Sequence, residues 1–87
     1  MENKLAWKDF YKEFTNNKYI YDISYKNNVY TIGSEYKHHK LVWFFCTQHA
    51  YDIKPFYQQF ESPQELLNNA LIDGNHLENI WDDIIIN

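Results

Sequence analysis

The hydrophobic residues near the start of the chain are spaced as in an amphipathic helix. Aromatic side chains recur at positions i, i+3, i+4 and i+7 and so share one face of a helix over residues 4–15: Trp7, Phe10, Tyr11 and Phe14. From Lys18 the period changes to two, because bulky residues alternate with polar ones as far as Lys26. The pattern predicts a helix followed by a half-buried strand.

Two asparagines, Asn27 and Asn28, predict a tight turn after this strand, because asparagine tolerates the positive φ of hairpin turns. A two-residue loop gives the following register: Tyr25 opposite Tyr30, Ile23 opposite Ile32, Tyr21 opposite Ser34 and Tyr19 opposite Tyr36. The bulky residues of both strands then lie on one face, and the other face is polar.

A polar connection over residues 36–40 leads to a third predicted strand, residues 41–47, which is apolar on both faces. Leu41, Trp43 and Phe45 join the aromatic face of the hairpin. Val42 and Phe44, together with Cys46, fall on the face that the first two strands make polar. Either residues 48–60 cover these side chains, or they form an exposed apolar patch that meets a partner.

The last third of the chain predicts two short helices. Ser62 to Glu65 form a capping box with proline at the first helical position, and Asp73-Gly74 supplies the end of that helix. A second apolar stripe follows: Leu77, Ile80, Trp81 and Ile84. The predicted fold class is α+β, a single domain over residues 1–87 in the order α-β-β-β-α-α, with a three-stranded antiparallel sheet packed against the helices.

Composition supports one small domain held together without a covalent crosslink. The chain has 87 residues, of which 45% are hydrophobic and 20% aromatic, and a single cysteine, Cys46. Its longest apolar runs are far too short to cross a bilayer, and no signal-peptide core follows Met1. We therefore expect a soluble cytoplasmic protein that does not contact membranes.

The charges are distributed unevenly along the chain. Residues 1–54 carry eight lysines and six acids, a balance of +2, whereas residues 55–87 carry six acids and no base, a balance of −6. The predicted partner-binding residues are these acids and two aromatics: Glu61, Glu65, Asp73, Glu78, Asp82, Asp83, Tyr57 and Phe44. The other interpretation of the acids is a solvated helix face.

The aromatic residues exceed what so small a core can hide. We expect Tyr36, Tyr51 and Tyr57 at the surface. The predicted core consists of Trp7, Phe10, Phe14, Ile23, Ile32, Trp43, Phe45, Leu67 and Trp81.

The residues that could carry chemistry form no catalytic or metal-binding signature. Cys46 and His49 have a spacing that suits two zinc ligands, but His38 and His39 are adjacent and diverge in an extended segment. The chain contains no arginine, and its anionic end would repel a phosphate backbone. We therefore expect no enzyme activity, no cofactor, no metal and no direct binding of nucleic acid.

Two resemblances to inhibitor families point to a protein partner. The segment from Asp73 to Ile84, with Gly74, Leu77 and Trp81-Asp82, resembles a stretch of the barstar family, acidic inhibitors of a basic ribonuclease. The length, acidic balance and order of elements resemble the small anti-CRISPR proteins of phages that infect low-GC Gram-positive bacteria. Some members of that group occupy the DNA-binding groove of the CRISPR nuclease, so the resemblance implies a phage protein that acts in the cytoplasm of a bacterial host.

The leading hypothesis is a non-enzymatic protein that inhibits or regulates a larger, nucleic-acid-processing partner through an anionic surface that imitates nucleic acid. The alternative is a structural or adaptor module, with a homodimer as one form, that uses an exposed apolar sheet face around Val42 and Phe44.

Overall fold

The fold combines an antiparallel sheet, whose strands differ in length, with three helices. The computed structural model describes residues 5–17 and 19–87. The helices are α1 (Trp7–Asn16), α2 (Pro63–Asn69) and α3 (Leu77–Ile80), with a 3-10 turn over Trp81–Asp83. The strands are β1 (Tyr21–Tyr25), β2 (Asn28–Lys37), β3 (Lys40–His49), β4 (Tyr57–Phe60), β5 (Leu71–Ile72), β6 (Asn75–His76) and β7 (Ile85–Ile86). The start predicted for the first helix, residue 4, and the predicted start of the first strand, residue 18, lie outside the described residues.

The main sheet has five strands in the order β4-β3-β2-β1-β7, and every pair of neighbours is antiparallel. This confirms the α+β class and the three central strands but corrects the expected strand number. The two additional strands are short edge strands: β4 lies within residues 48–60, where no strand was predicted, and β7 directly follows the apolar stripe of the predicted last helix. In the described part of the chain, no helix is long and apolar enough to span a membrane.

The core lies between one face of the sheet and the helices. Buried residues from the sheet meet buried residues from α1, α2 and the C-terminal segments: Phe10, Phe14, Ile23, Ile32, Phe45, Leu66, Leu67, Leu77, Trp81 and Ile84. Seven of the nine predicted core residues are in this buried set, which confirms the aromatic stripe of α1. Trp7 and Trp43 are partly exposed and pack against the edge of the core.

The first hairpin has a different register from the predicted one. Its turn residues are Lys26, with φ of 55°, and Asn27, so that Tyr25 lies opposite Asn28 and Ile23 opposite Tyr30. The shift is two residues, and because the side-chain period of a strand is two, the predicted faces are kept. Asn28 belongs to the strand because its buried side chain bonds to the segment after β3, a contact that the local sequence does not reveal.

The second hairpin is also tighter than predicted. Lys37 lies opposite Lys40, and the turn consists of His38 and His39 with φ of 53° and 65°. Positive φ at both central residues is the backbone conformation that matches the twist of a two-residue hairpin.

The C-terminal helices are shorter than their sequence pattern. Ser62 caps α2 as predicted, since its Oγ accepts a 3.0 Å hydrogen bond from the Glu65 N–H. However, α2 ends at Asn69, and Asp73-Gly74 forms the turn of the small hairpin β5–β6. Both turn residues have positive φ, 52° and 80°, which suits a two-residue hairpin.

Candidate protein-binding groove

An open groove lies at the acidic end of the chain. It measures about 870 Å³ and lies between the segment that leads into α1 and the segment from α3 to β7. Apolar side chains and carboxylates line it together, among them Leu5, Trp7, Ile85, Glu78, Asp82 and Asp83. Half of the six C-terminal acids therefore lie at one concave site.

A buried tryptophan sets the position of the two groove walls. Trp81 is 3% exposed, and its ring packs 4.6 Å from Phe10 and 5.2 Å from Trp7, measured between ring centroids. Its indole Nε1–H donates a 2.8 Å hydrogen bond to the carbonyl oxygen of Leu5. The 3-10 turn that begins at Trp81 then presents Asp82 and Asp83 to the groove.

The three groove carboxylates have no basic partner among residues 5–17 and 19–87. Glu78, Asp82 and Asp83 are exposed, and no described residue donates a hydrogen bond to them or lies within ion-pair distance. Two apolar groove residues are also exposed, Leu5 at 36% and Ile85 at 56%. The site thus combines apolar surface with carboxylates that no described lysine pairs with.

The other three acids lie elsewhere and have local roles. Glu61 forms a 2.6 Å ion pair with Lys40, the one salt bridge among the described residues. Glu65 accepts a 2.8 Å hydrogen bond from the Glu61 N–H at the start of α2. Asp73 lies in the β5–β6 turn. The six acids therefore do not form one continuous surface.

The predicted aromatic binding residues lie at the opposite side of the sheet. Tyr57 is on edge strand β4 and Phe44 on its neighbour β3, whereas Ile85 of the groove is on the other edge strand, β7. Four strand spacings separate β4 from β7, about 19 Å at the usual distance between paired strands. Tyr57 and Phe44 therefore do not belong to the groove.

Two apolar residues of β3 on the sheet face opposite the helices, the outer face, are covered within the chain. Val42 is 2% exposed and Phe44 8%, so the expected exposed patch around them is absent. The ring of Tyr57 stacks on Phe44 with a centroid distance of 5.9 Å and an interplanar angle of 5°. This is the first of the two arrangements that the sequence left open, in which residues 48–60 cover the patch. Tyr36, Tyr51 and Tyr57 are exposed at 72%, 75% and 44%, as predicted.

Tyr57 also connects the polar side chains of this face. Its hydroxyl donates a 2.6 Å hydrogen bond to Oε2 of Glu35, and the Nζ of Lys37 lies 4.5 Å from its ring centroid. Burial and the hydrogen bond to Glu35 raise the pKa of Tyr57 to about 12. Burial, and to a lesser extent Glu35, also raise the pKa of the Cys46 thiol, so this thiol is a weak nucleophile at neutral pH.

A second, smaller cavity of about 210 Å³ lies beside the first hairpin. The Nδ2 of buried Asn28 donates a 2.7 Å hydrogen bond to Asp52, and its Oδ1 accepts one of 2.7 Å from the Tyr51 N–H. Asp73 reaches the same cavity. Burial and the nearby Asp52 raise the pKa of Tyr30.

The histidines and the cysteine that could bind zinc are placed at separate points of β3. His38 and His39 form the turn before this strand, and His49 is its last residue. Among residues 5–17 and 19–87, no group of three or more histidine, cysteine or acidic side chains could hold a metal ion.

Sequence reasoning identified the acids of the groove but missed its apolar walls. Leu5 lies before α1 and Trp7 is the first residue of α1. No feature of the sequence around them shows that they lie beside residues 78–85. One feature of the sequence pointed to these walls. In the run Ile84-Ile85-Ile86, only Ile84 falls on the apolar face of the predicted last helix, so Ile85 is not expected in the core.

Comparison of the chain with protein-family models, curated protein sequences and solved structures found no match. The resemblances to the barstar and anti-CRISPR families rest on a short segment and on the layout of the chain. A membership in either family therefore stays a prediction.

Proposed function

We propose that this protein is a small acidic inhibitor or regulator that binds a larger protein with a basic surface. The groove that contains Glu78, Asp82 and Asp83 is the binding site, and the preferred partner processes nucleic acid. The resemblance to anti-CRISPR proteins makes a CRISPR nuclease in the bacterial cytoplasm one candidate partner. No catalytic step is proposed for this chain.

One observation carries this proposal: three exposed carboxylates share a groove with apolar surface, and no described basic residue neutralises them. Like charges held close together cost stability unless a positive partner uses them. The exposed apolar residues Leu5 and Ile85 supply contact area that a purely solvated acidic face does not need.

In the proposed mechanism, the carboxylates and the apolar groove walls affect different rates of binding. Long-range attraction between the carboxylates and a basic channel increases the association rate, and it weakens as salt is added. Burial of the apolar groove walls then slows dissociation, since most affinity differences are expressed in the dissociation rate. A partner held in this way cannot place the same channel on a phosphate backbone.

The test compares two pairs of substitutions that remove the same charge. Asp82→Asn with Asp83→Asn changes the groove, whereas Glu61→Gln with Asp73→Asn changes acids outside it. Wild type and both variants are used to capture proteins from a lysate of the source cell, and each purified partner is then assayed for nucleic-acid binding with and without the captured protein. We expect inhibition that weakens about tenfold for the groove variant at low ionic strength and changes little for the control. Equal inhibition by all three proteins would contradict the groove as the binding site.

A second candidate function is an adaptor that associates through the outer face of the sheet. Two apolar side chains are exposed there, Ile20 at 60% above Gly33 and Ile85 at 56% opposite Ser24. Native mass spectrometry over a range of concentrations tests this function. A homodimer that is lost in Ile20→Asp but kept in Tyr51→Asp would support it, and a monomer at all concentrations would exclude its homodimeric form.

A further inference from the structure

The groove has the features needed to hold the side chain of an arginine. Its wall includes Trp7, which is partly exposed and whose ring meets Trp81 at an interplanar angle of 66°. Its lining also includes the carboxylates of Glu78, Asp82 and Asp83. Aromatic surface, apolar surface and carboxylates therefore occur together within one cavity of about 870 Å³.

Each of these features matches a different part of an arginine side chain. The methylene stem covers apolar surface, the planar guanidinium stacks on an aromatic ring, and its N–H groups bind a carboxylate in a two-pronged contact. A lysine ammonium lacks the planar geometry and is more strongly hydrated, so it uses the carboxylates but gains less from the ring.

The occupant must come from another molecule. The chain contains no arginine, and the described lysines do not pair with the groove acids. The carboxylates also make no hydrogen bond with described residues that an incoming cation would have to break. The geometry points to an arginine of a basic protein segment, seated against Trp7 and paired with Asp82 or Asp83. This inference rests on the proposed function and names the chemistry that the groove recognises.

Synthetic peptides provide the test, because they probe the groove without a known partner. Uniformly ¹⁵N-labelled protein is titrated with hexa-arginine, hexa-lysine and hexa-citrulline at low ionic strength. The indole N–H signals of the three tryptophans are followed by NMR. Trp43 on β3 lies outside the groove lining and serves as the internal control.

We expect hexa-arginine to bind about fivefold more tightly than hexa-lysine, the factor that one stacked cation contributes. The Trp7 indole signal should shift with hexa-arginine and the Trp43 signal should not. Hexa-citrulline, which has a similar shape without the charge, should not bind. Trp7→Leu should bring the two cationic peptides to similar affinity while both still bind.

The outcomes separate this inference from the function on which it rests. Equal affinity for arginine and lysine peptides, with no shift of Trp7, would overturn the arginine site. If Asp82→Asn with Asp83→Asn still weakened both peptides in that case, the acidic groove itself would stand. Peptide binding that responds equally to that pair and to Glu61→Gln with Asp73→Asn would contradict both proposals. Because the wild-type Trp7 signal is measured directly, the test remains decisive if Trp7→Leu does not fold.

Discussion

The indole N–H of Trp81 binds the backbone carbonyl of Leu5, 76 positions earlier in the chain, at 2.8 Å. These two residues belong to the two walls of the groove. The bond therefore does more than satisfy a buried donor: it holds the segment before α1 against the acidic C-terminal segment.

Trp81→Phe tests this role. Phenylalanine fills part of the same core site but cannot donate the hydrogen bond, so the free energy of unfolding should fall by about 2 kcal/mol, measured by urea denaturation. The affinity for hexa-arginine should fall as well, because the groove walls lose their connection. Trp43→Phe is the control: it should change stability without changing peptide affinity. Unchanged peptide affinity in folded Trp81→Phe would show that the bond does not shape the groove.

A second prediction concerns Asn28, which is 4% exposed and bonds through both ends of its amide. Asn28→Asp replaces the amide group that donates to Asp52 with an acceptor, and it brings two carboxylates to hydrogen-bond distance. We expect a loss of about 2 kcal/mol at neutral pH, since a buried charge is left facing a like charge.

The double variant Asn28→Asp with Asp52→Asn provides the control for this prediction. It restores one donor and one acceptor in exchanged positions and keeps an acceptor for the Tyr51 N–H. Urea denaturation should show that it is more stable than Asn28→Asp alone. Asp52→Asn alone completes the comparison. If the loss of unfolding free energy in the double variant equalled the sum of the losses in the two single variants, the two side chains would not interact.

Asn28 also shows why the register of the first hairpin could not be predicted from the sequence. Local turn preference favoured Asn27-Asn28, whereas the partners of Asn28 are Tyr51 and Asp52, more than twenty positions later. The period-two pattern still predicted the buried face, because a shift of two residues leaves faces unchanged. Local patterns thus determined the faces, and a distant polar contact determined the register.

The edge strands and the groove escaped prediction for a related reason. β4 has four residues and β7 has two, too few to show the alternation of apolar and polar residues that predicts a strand. They form strands because they pair with the edges of β3 and β1. The six acids were predicted as one group, but their partition among the groove, the start of α2 and the small hairpin depends on the tertiary fold. Burial of Phe44 likewise depends on β4, which places Tyr57 over it.

A third prediction concerns the close contact between Gly33 and Ile20. A Cβ at position 33 would lie 2.8 Å from Cγ1 of Ile20 and 3.1 Å from its Cα. Gly33→Ala should therefore lower the free energy of unfolding by about 1 kcal/mol, although alanine is normally tolerated in strands at least as well as glycine. Ile20→Ala removes the nearest atom, so the two substitutions together should cost less than the sum of their separate effects. A strictly additive result in thermal denaturation would contradict the contact.

The fourth prediction follows from the hydrogen bond between Tyr57 and Glu35. The folded protein raises the pKa of Tyr57 from its ordinary value of 10.0 to about 12, first through burial and then through the bond to Glu35. The folded state therefore holds the phenolic proton more tightly than the unfolded state does. This stabilisation is fully present below pH 10 and is lost as the pH rises through 12.

Tyr57→Phe should accordingly reduce the dependence of the free energy of unfolding on pH between about 10 and 12, measured by urea denaturation at several pH values. Tyr21 contributes in the same direction, because burial and its 2.6 Å bond to Glu13 also raise its pKa, so Tyr57→Phe should weaken the dependence without abolishing it. Glu35→Gln removes the charge but keeps an acceptor. It should lower the pKa of Tyr57 only partly, since burial is the larger cause. If the tyrosinate absorbance of Glu35→Gln rose over the same pH range as in the wild type, the bond to Glu35 would have no part in the shift.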